Sequence, residues 1–382
     1  MIRARPWTPR PPAKGTTWAA VWPRLAALEQ PTPDVPKLDD CVALLRQAGV
    51  LGALVPGEFG GYETDVPTGV SVIEDLAHLS GPLGWLGFVG MTGGMFSAEL
   101  PPSGARTIWG HSHPLIAYAG ASNGLLAETG HGEFSLSGSW PMASGVTHAP
   151  WVALGCKVDT GQPAATAVAL IPSSACRIGP PWNPVGLPGT GPAPVSVDAA
   201  VVPSDRVSCD KRDDTANRIR RRFRVLVPSA IAAVAIGIAL GCLDGTAELL
   251  ARESESDAGA RRADSDLVQH ELGYHYAQVL AARSLLHETT AEIWQRAQHG
   301  DDYGLELAAR QRLAASHAAH TASTAAEAMS RLAGVAAVSI GTRDSARWLE
   351  ARTVLANVTV RGLYYSVYGG VAAEGTIPRA WP

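Results

Sequence analysis

The run from Val225 to Leu243 carries no charged residue and approaches the length that crosses a bilayer. It has two readings, a membrane span or the central helix of a bundle. Pro228 stands near its start, Ala and Gly fill much of it, and Asp244 and Glu248 follow at once. No second segment exists to join it in lipid. A helix that is apolar all round fits a position enclosed by other helices. The segments around it agree: long Ala-rich stretches occupy about 226–255, 264–299, 304–333 and 343–370, with breaks at Gly300, Gly334 and Gly341.

The N-terminal third is also helical by pattern. Residues 1–16 form an arm rich in Pro and Arg with no apolar core, which is not a signal peptide. Trp18 to Glu29 and Leu38 to Ala48 read as helices, the second stopped by Gly49. A loop with apolar anchors spans 50–61. Helices follow at about Pro67 to Ser80, with Val70, Ile73, Leu76 and Ala77 as the buried stripe, at Pro82 to Glu99, and at Ser103 to Trp109.

Between the helical regions the period changes. Ile116–Tyr118, Glu133–Trp140, Trp151–Val158, Ala164–Ile171 and Val195–Val202 read as strands of an antiparallel barrel or sandwich. Phe134, Leu136 and Trp140 alternate with Glu133, Ser135, Ser137 and Ser139. Pro141, Ser144 and Gly145 then interrupt the strand, and the pattern alone predicts a β-hairpin from Glu133 to Val158 with two core tryptophans. The expected division is an arm (1–16), an α domain (17–114), a β domain (115–207), a linker (208–225), a helical bundle (226–370) and a tail (371–382).

The 382 residues are 46% hydrophobic and 17% charged, which suits packed domains. A net charge of -4 gives no general attraction to nucleic acid or to an anionic membrane. The one dense basic run, Arg218 to Arg224, has no aromatic platform and reads as a solvated linker or helix start. Cys41, Cys156, Cys176, Cys209 and Cys242 are scattered, with no metal-ligand spacing, so a reduced cytoplasmic setting without zinc is expected.

Several stretches, in order, resemble the acyl-CoA dehydrogenase superfamily. Leu54-Val55-Pro56-Gly57-Glu58-Phe59-Gly60-Gly61 is similar to its "vPeeyGG" loop, and Val72 to Ala77 to the "ieelA" helix that follows. Gly138-Ser139-Trp140-Pro141-Met142-Ala143-Ser144-Gly145-Val146-Thr147-His148-Ala149-Pro150-Trp151 resembles the "G-x-W-x-x-x-SG-x-x-HA-x-W" segment of one branch, the two-component flavin monooxygenases and their actinobacterial relatives. Gly186 to Gly191, Val201 to Val207 and Ala282 to His287 match further motifs. The resemblance spans about residues 35–370. It implies an α+β fold: an N-terminal helical domain, a middle antiparallel β-barrel or sandwich, and a C-terminal four-helix bundle.

The resemblance also implies a flavin, FAD or FMN. A flavin ring is broad, flat and amphipathic, and needs backbone groups at one edge and apolar packing on a face. Met142, Ala143, Ser144 and Gly145 are the expected edge, with Trp140 packed against the ring and Thr190 adding a hydroxyl. Arg261 and Arg262 stand where FAD-binding members carry an Arg for the pyrophosphate. Trp85 to Met95 would line an apolar substrate side.

The expected base is missing. Acyl-CoA dehydrogenases use a Glu soon after an R-D pair near the end of the bundle, and the monooxygenase branch has His nearby. Counting from Leu332-Ala333-Gly334, the pair falls on Leu349-Glu350 and the base position on Asn357, which takes no proton near neutral pH. Glu374-Gly375-Thr376 copies the dehydrogenase "EGT", but its spacing is too long and it falls near the tail. Glu74, Glu248 and Glu271 are other carboxylates that nothing singles out, and His148 is the remaining acid/base group close to the flavin edge.

Three functions follow from the resemblance. One is a monooxygenase that takes reduced flavin from a partner reductase and hydroxylates an aromatic or other apolar small molecule with O2. Another is an FAD-dependent dehydrogenase of acyl thioesters. The third is a non-catalytic subunit of a mixed oligomer. A homo-oligomer, tetramer or dimer, is expected through the small-residue faces Ala314-Ala315-Ala318-Ala319 and Ala325-Ala326.

Overall fold

The computed structural model describes residues 38–130, 132–159, 165–209, 214–252, 261–299, 303–339 and 343–376. The expected arm and the helix at Trp18–Glu29 lie outside them. Helix α1, Leu38–Gln47, stops before Gly49, whose φ of 74° is the left-handed conformation that glycine adopts without strain. Helix α2, Val66–Leu79, begins at Asp65, whose carboxylate accepts the Thr68 N–H at 2.7 Å. Val70, Ile73, Leu76 and Ala77 form its buried stripe. Helix α3, Gly81–Met95, is buried almost throughout. It packs closely because its glycines face neighbours: a Cβ on Gly84 would lie 2.4 Å from that of Ala77. Helix α4, Pro102–Trp109, leads to the sheet.

The strands are β1 (Ile116–Glu128), β2 (Glu133–Ala143), β3 (Trp151–Asp159), β4 (Ala165–Pro172), β5 (Arg177–Ile178), β6 (Ala193–Pro203) and β7 (Val207–Cys209). They form one sheet in the order β5-β6-β2-β1-β3-β4-β7. Two expectations are corrected here. The sheet is mixed, because β3 runs parallel to β1, from Ile116↔Trp151 to Ala127↔Asp159. The segment from β2 to β3 is therefore no hairpin: β1 lies between the two strands, and residues 144–150 are a crossover. β1 also runs ten residues beyond Tyr118, since its register shifts between Ala119 and Gly124 and that stretch reads as a loop in sequence.

In the C-terminal half, α5 (Asp214–Arg252) is the central helix, and 94% of its most apolar window is buried in the protein. The helix begins at Asp214, so much of the expected linker 208–225 is helical. Against it pack α6 (Asp266–Gln298), α7 (Gly304–Ala333) and α8 (Arg343–Leu355), and α9 (Leu363–Glu374) packs on α7 through Ala309, Tyr364, Val367 and Val371. The last expected segment, 343–370, is two helices, split by a short turn at Val358–Val360. Glu374 ends α9 instead of lying in a tail. The small-residue faces of α7 are buried within the chain, so Ala314, Ala315, Ala318, Ala319, Ala325 and Ala326 serve internal packing and offer no surface to a second copy.

The inner face of α6 is polar. Glu74 of α2, fully buried, accepts from Arg283 Nε at 2.5 Å and pairs with His287 Nε2 at 2.7 Å. Asp244 of α5 pairs with His78 Nε2 at 2.8 Å and accepts the Tyr276 hydroxyl at 2.6 Å. Thr290 donates to the Leu286 carbonyl at 2.7 Å and lies 2.9 Å from the Ser229 hydroxyl. Tyr276, Arg283, His287 and Thr290 share one helical face. Arg347 of α8 donates to the carbonyls of His78, at 2.8 Å, and Gly241, joining the chain's helical halves.

Candidate active site

The motif segment becomes a compact turn at the end of the sheet. Ser144 forms an isolated antiparallel bridge with Tyr118, and its N–H donates to the Tyr118 carbonyl at 3.3 Å. Gly145 has φ 76°, and a Cβ there would lie 3.3 Å from Val89 of α3. The turn therefore rests on α3, the helix expected to border the substrate. A second turn, Leu187 to Gly191, meets the first. The Thr147 N–H donates to the Gly191 carbonyl at 3.4 Å, and His148 Nε2 lies 2.9 Å from the Gly189 carbonyl. A carbonyl only accepts, so that nitrogen carries the proton. The second turn is pressed in its turn onto α8: a Cβ on Gly186 would fall 2.2 Å from the Leu349 carbonyl. Helix α3, the two turns and α8 are thus in contact one after another.

The expected site residues separate into three groups. Met142 is 45% exposed, and Ser144 is half-buried with a hydroxyl that makes no hydrogen bond among the described residues. Ala143 is buried and pairs with Ala193. Together these offer an exposed thioether, a hydroxyl and a glycine turn, a donor set that fits the edge of a flavin ring.

The second group turns inward. Trp140 is fully buried, its indole lies over Gly124 and Gly138, and its N–H is shared by the carbonyls of Ala121 (3.0 Å) and Gly155 (2.9 Å). It is a core residue with its polar atom satisfied, which corrects the expectation that it packs on a flavin. The Thr190 hydroxyl, also expected to face the ring, is buried and donates to Leu187 at 2.9 Å. It closes the second turn instead. His148 clamps the two turns together.

The third group lies in the helical half. Arg262 donates to the Leu332 carbonyl at 2.7 Å, at the end of α7, and Arg261 precedes it. Asn357 is committed locally: its Oδ1 accepts the Thr359 N–H at 2.9 Å and caps the short turn after α8.

Sequence reasoning missed Tyr118, which links the Ser144 turn to a cavity of about 250 Å³. Bridge partners project side chains to the same face of a sheet, so the cavity opens on the Ser144 side. Phe96, Tyr118, Gly120 and Val168 line it, with Glu99 held by the Ser208 hydroxyl at 2.8 Å. Burial, and then the Glu99 charge, push the Tyr118 phenol up to about 12, so it stays protonated. Only the residue type signals this in sequence.

Residues 229–343 match the family model described as "Acyl-CoA dehydrogenase, C-terminal domain". The chain is 26% identical over 369 residues, 92% of its length and 95% of the other, to the flavin-dependent monooxygenase oxygenase subunit HsaA of Rhodococcus jostii (strain RHA1). It is 27% identical over 304 residues, 78% of its length and 77% of the other, to indole-3-acetate monooxygenase of Pseudomonas putida. The solved structure of XiaF from Streptomyces sp. in complex with FADH2 and glycerol superposes with a TM-score of 0.83 at 19% identity, covering 95% of this chain and 97% of that one. The fold is that of the acyl-CoA dehydrogenases. In sequence the chain resembles the two-component flavin monooxygenase branch of that superfamily along nearly its whole length.

Proposed function

We propose that this chain is the oxygenase component of a two-component flavin monooxygenase acting on an aromatic small molecule. The observation that carries the reading is the Met142–Gly145 turn, with its exposed apolar side chain and a hydroxyl that makes no hydrogen bond among the described residues, in a chain similar over 92% of its length to such an oxygenase subunit. Reduced flavin, when bound, supplies the two electrons with which O2 is split between the aromatic product and water. Met142 would pack on the ring and Ser144 would hydrogen-bond its edge. His148 and Thr147 would hold both turns in register, so that the edge is rigid before the flavin arrives. The cavity beside Tyr118, walled by Phe96, supports an aromatic substrate, with the protonated phenol as a hydrogen-bond donor. Arg261 and Arg262 would serve a flavin pyrophosphate, with Arg262 held at the end of α7 by the Leu332 carbonyl.

A separate reductase would supply the reduced flavin, either FMN or FAD, in a cytoplasmic setting. Among the described residues Cys41, Cys156, Cys176 and Cys242 form no disulfide, which supports a reducing environment, and burial pushes Cys156 up to about 12 and Cys176 up to about 11. A tetramer or dimer, and a three-part division near residues 114 and 207, belong to the same reading. A second reading, a supporting subunit without its own chemistry, draws on Asn357, which is neither titratable nor released from its cap. The dehydrogenase reading lacks a base at that position.

The test combines the purified chain with a flavin reductase, NADH, FMN or FAD, and a panel of phenols and indoles under ¹⁸O2. A product carrying one labelled oxygen, lost in Ser144→Gly, is expected. No affinity for reduced flavin and no product would leave the supporting-subunit reading.

A further inference from the structure

The turn at Met142–Gly145 supplies an edge but no aromatic face, because Trp140 is spent in the core. The strap between β5 and β6 carries another tryptophan. Trp182 is 50% exposed, the most exposed of the described tryptophans. Its backbone is fixed: the Trp182 N–H donates to the Pro192 carbonyl and the Gly179 N–H to the Pro194 carbonyl, both at 2.8 Å. Pro180, Pro181 and Pro184 set φ on either side, and Gly186 presses the far end onto α8. The side chain is thus held out on a rigid backbone, which lowers the entropy cost of using it in binding.

Its position relates to the turn through β6. Ala143 pairs with Ala193, and both are buried, so their neighbours Met142 and Pro194 emerge on the opposite, exposed face. The strap runs along the other side of β6. Two inter-strand spacings, about 9–10 Å, separate it from β2, a span that a three-ring heteroaromatic covers. Met142 of β2, Pro194 of β6, and Trp182 and Val185 of the strap, the last 76% exposed, are the exposed apolar residues of these adjacent segments.

We propose that Trp182 is the aromatic wall of the flavin site, stacking on the ring system whose edge meets Ser144. The proposal rests on the flavin reading above and adds a residue to it. Aromatic stacking is favourable and tolerant of ring type, so Trp182 would serve FMN and FAD alike and hold either oxidation state.

The test titrates dithionite-reduced FMN and oxidised FMN into the wild-type chain, Trp182→Ala and Trp182→Phe by anaerobic calorimetry, and follows the visible band of the oxidised flavin. Because the side chain is exposed, both variants should keep the circular dichroism and melting of the parent. Trp182→Ala should bind about tenfold more weakly, about 1.4 kcal/mol, and lose part of the band shift, while Trp182→Phe should stay within about threefold. Wild-type binding with unchanged affinity in Trp182→Ala overturns this proposal alone. If sedimentation then shows a smaller assembly, Trp182 serves a contact between chains instead. A wild-type chain that binds neither form overturns the flavin reading and this proposal with it.

Discussion

The turns at the sheet end and the inner face of α6 use similar polar residues in opposite ways. On the inner face of α6 the polar groups meet buried partners: Arg283 and His287 on Glu74, Tyr276 on Asp244, Thr290 beside Ser229. At the sheet end the backbone is tied down, but the Ser144 hydroxyl makes no hydrogen bond among the described residues and Met142 faces outward. One region spends its polar groups on holding helices together. The other keeps them available on a fixed frame. Loss of a group should therefore cost stability in the first and ligand affinity in the second.

The largest effect should come from Glu74→Gln, which leaves Arg283 and His287 without their carboxylate. About 3 kcal/mol of unfolding free energy should disappear, read from urea denaturation. A smaller loss, about 1–2 kcal/mol, is expected for Gly145→Ala, since φ 76° strains any side chain there and Val89 lies 3.3 Å from the new Cβ. Flavin affinity should fall in the same variant, which Glu74→Gln would not produce in its folded fraction.

Two neighbouring carboxyls give opposite pH slopes. Burial pushes the Glu74 carboxyl up, but the hydrogen bond and charge of His287, with Arg283, outweigh it and hold the group below its ordinary value. Its contribution is present above the unfolded carboxyl range and is lost as pH falls through the folded pKa. Asp75 is raised well above its ordinary value, by burial and then by the Glu74 charge. The unfolded chain ionises it first, so stability declines as pH climbs from about 4 toward the folded pKa. Asp75→Asn removes that decline. It should be more stable than the parent at pH 7, with the difference vanishing below about pH 4. Equal melting temperatures at pH 7 would show that Asp75 is compensated.

Asn357→Ala should cost about 1 kcal/mol through the lost cap, with Asn357→Asp restoring it; a loss of hydroxylation without a change in melting would instead give this residue a part in the chemistry. The smallest effect belongs to Ser144→Ala, which should leave unfolding within about 0.5 kcal/mol while weakening flavin binding.

Helices were legible because the 3.6-residue period survives wherever one face is buried, as at Val70, Ile73, Leu76 and Ala77. Strand existence was legible from alternation, but pairing was not: alternation in β2 says that Trp140 points inward, and nothing in it says that β1 inserts between β2 and β3. The role of Trp140 failed for the same reason, since an inward tryptophan and a ligand-facing one share a pattern. The helical start at Asp214 was hidden by its charge, because a basic run reads as solvated whether or not it is helical. Met142 and Ser144 were singled out by a motif, whereas Trp182, the residue proposed above, sits in a proline-rich stretch that looks like a spacer.

The crossover at residues 144–150 bears on how the chain assembles. β1 and β2 are neighbours in sequence and can zip together as soon as Ala143 is made. β3 must then travel past the end of that pair and add to the vacant edge of β1. The Ser144–Tyr118 bridge continues the β1–β2 pairing, so this later docking, of higher sequence separation and slower for it, closes only the rest of the crossover. Partly folded chains would therefore carry the Ser144 edge without the clamp that Thr147 and His148 make to the second turn, and a ligand would be captured late, by chains whose topology is already complete.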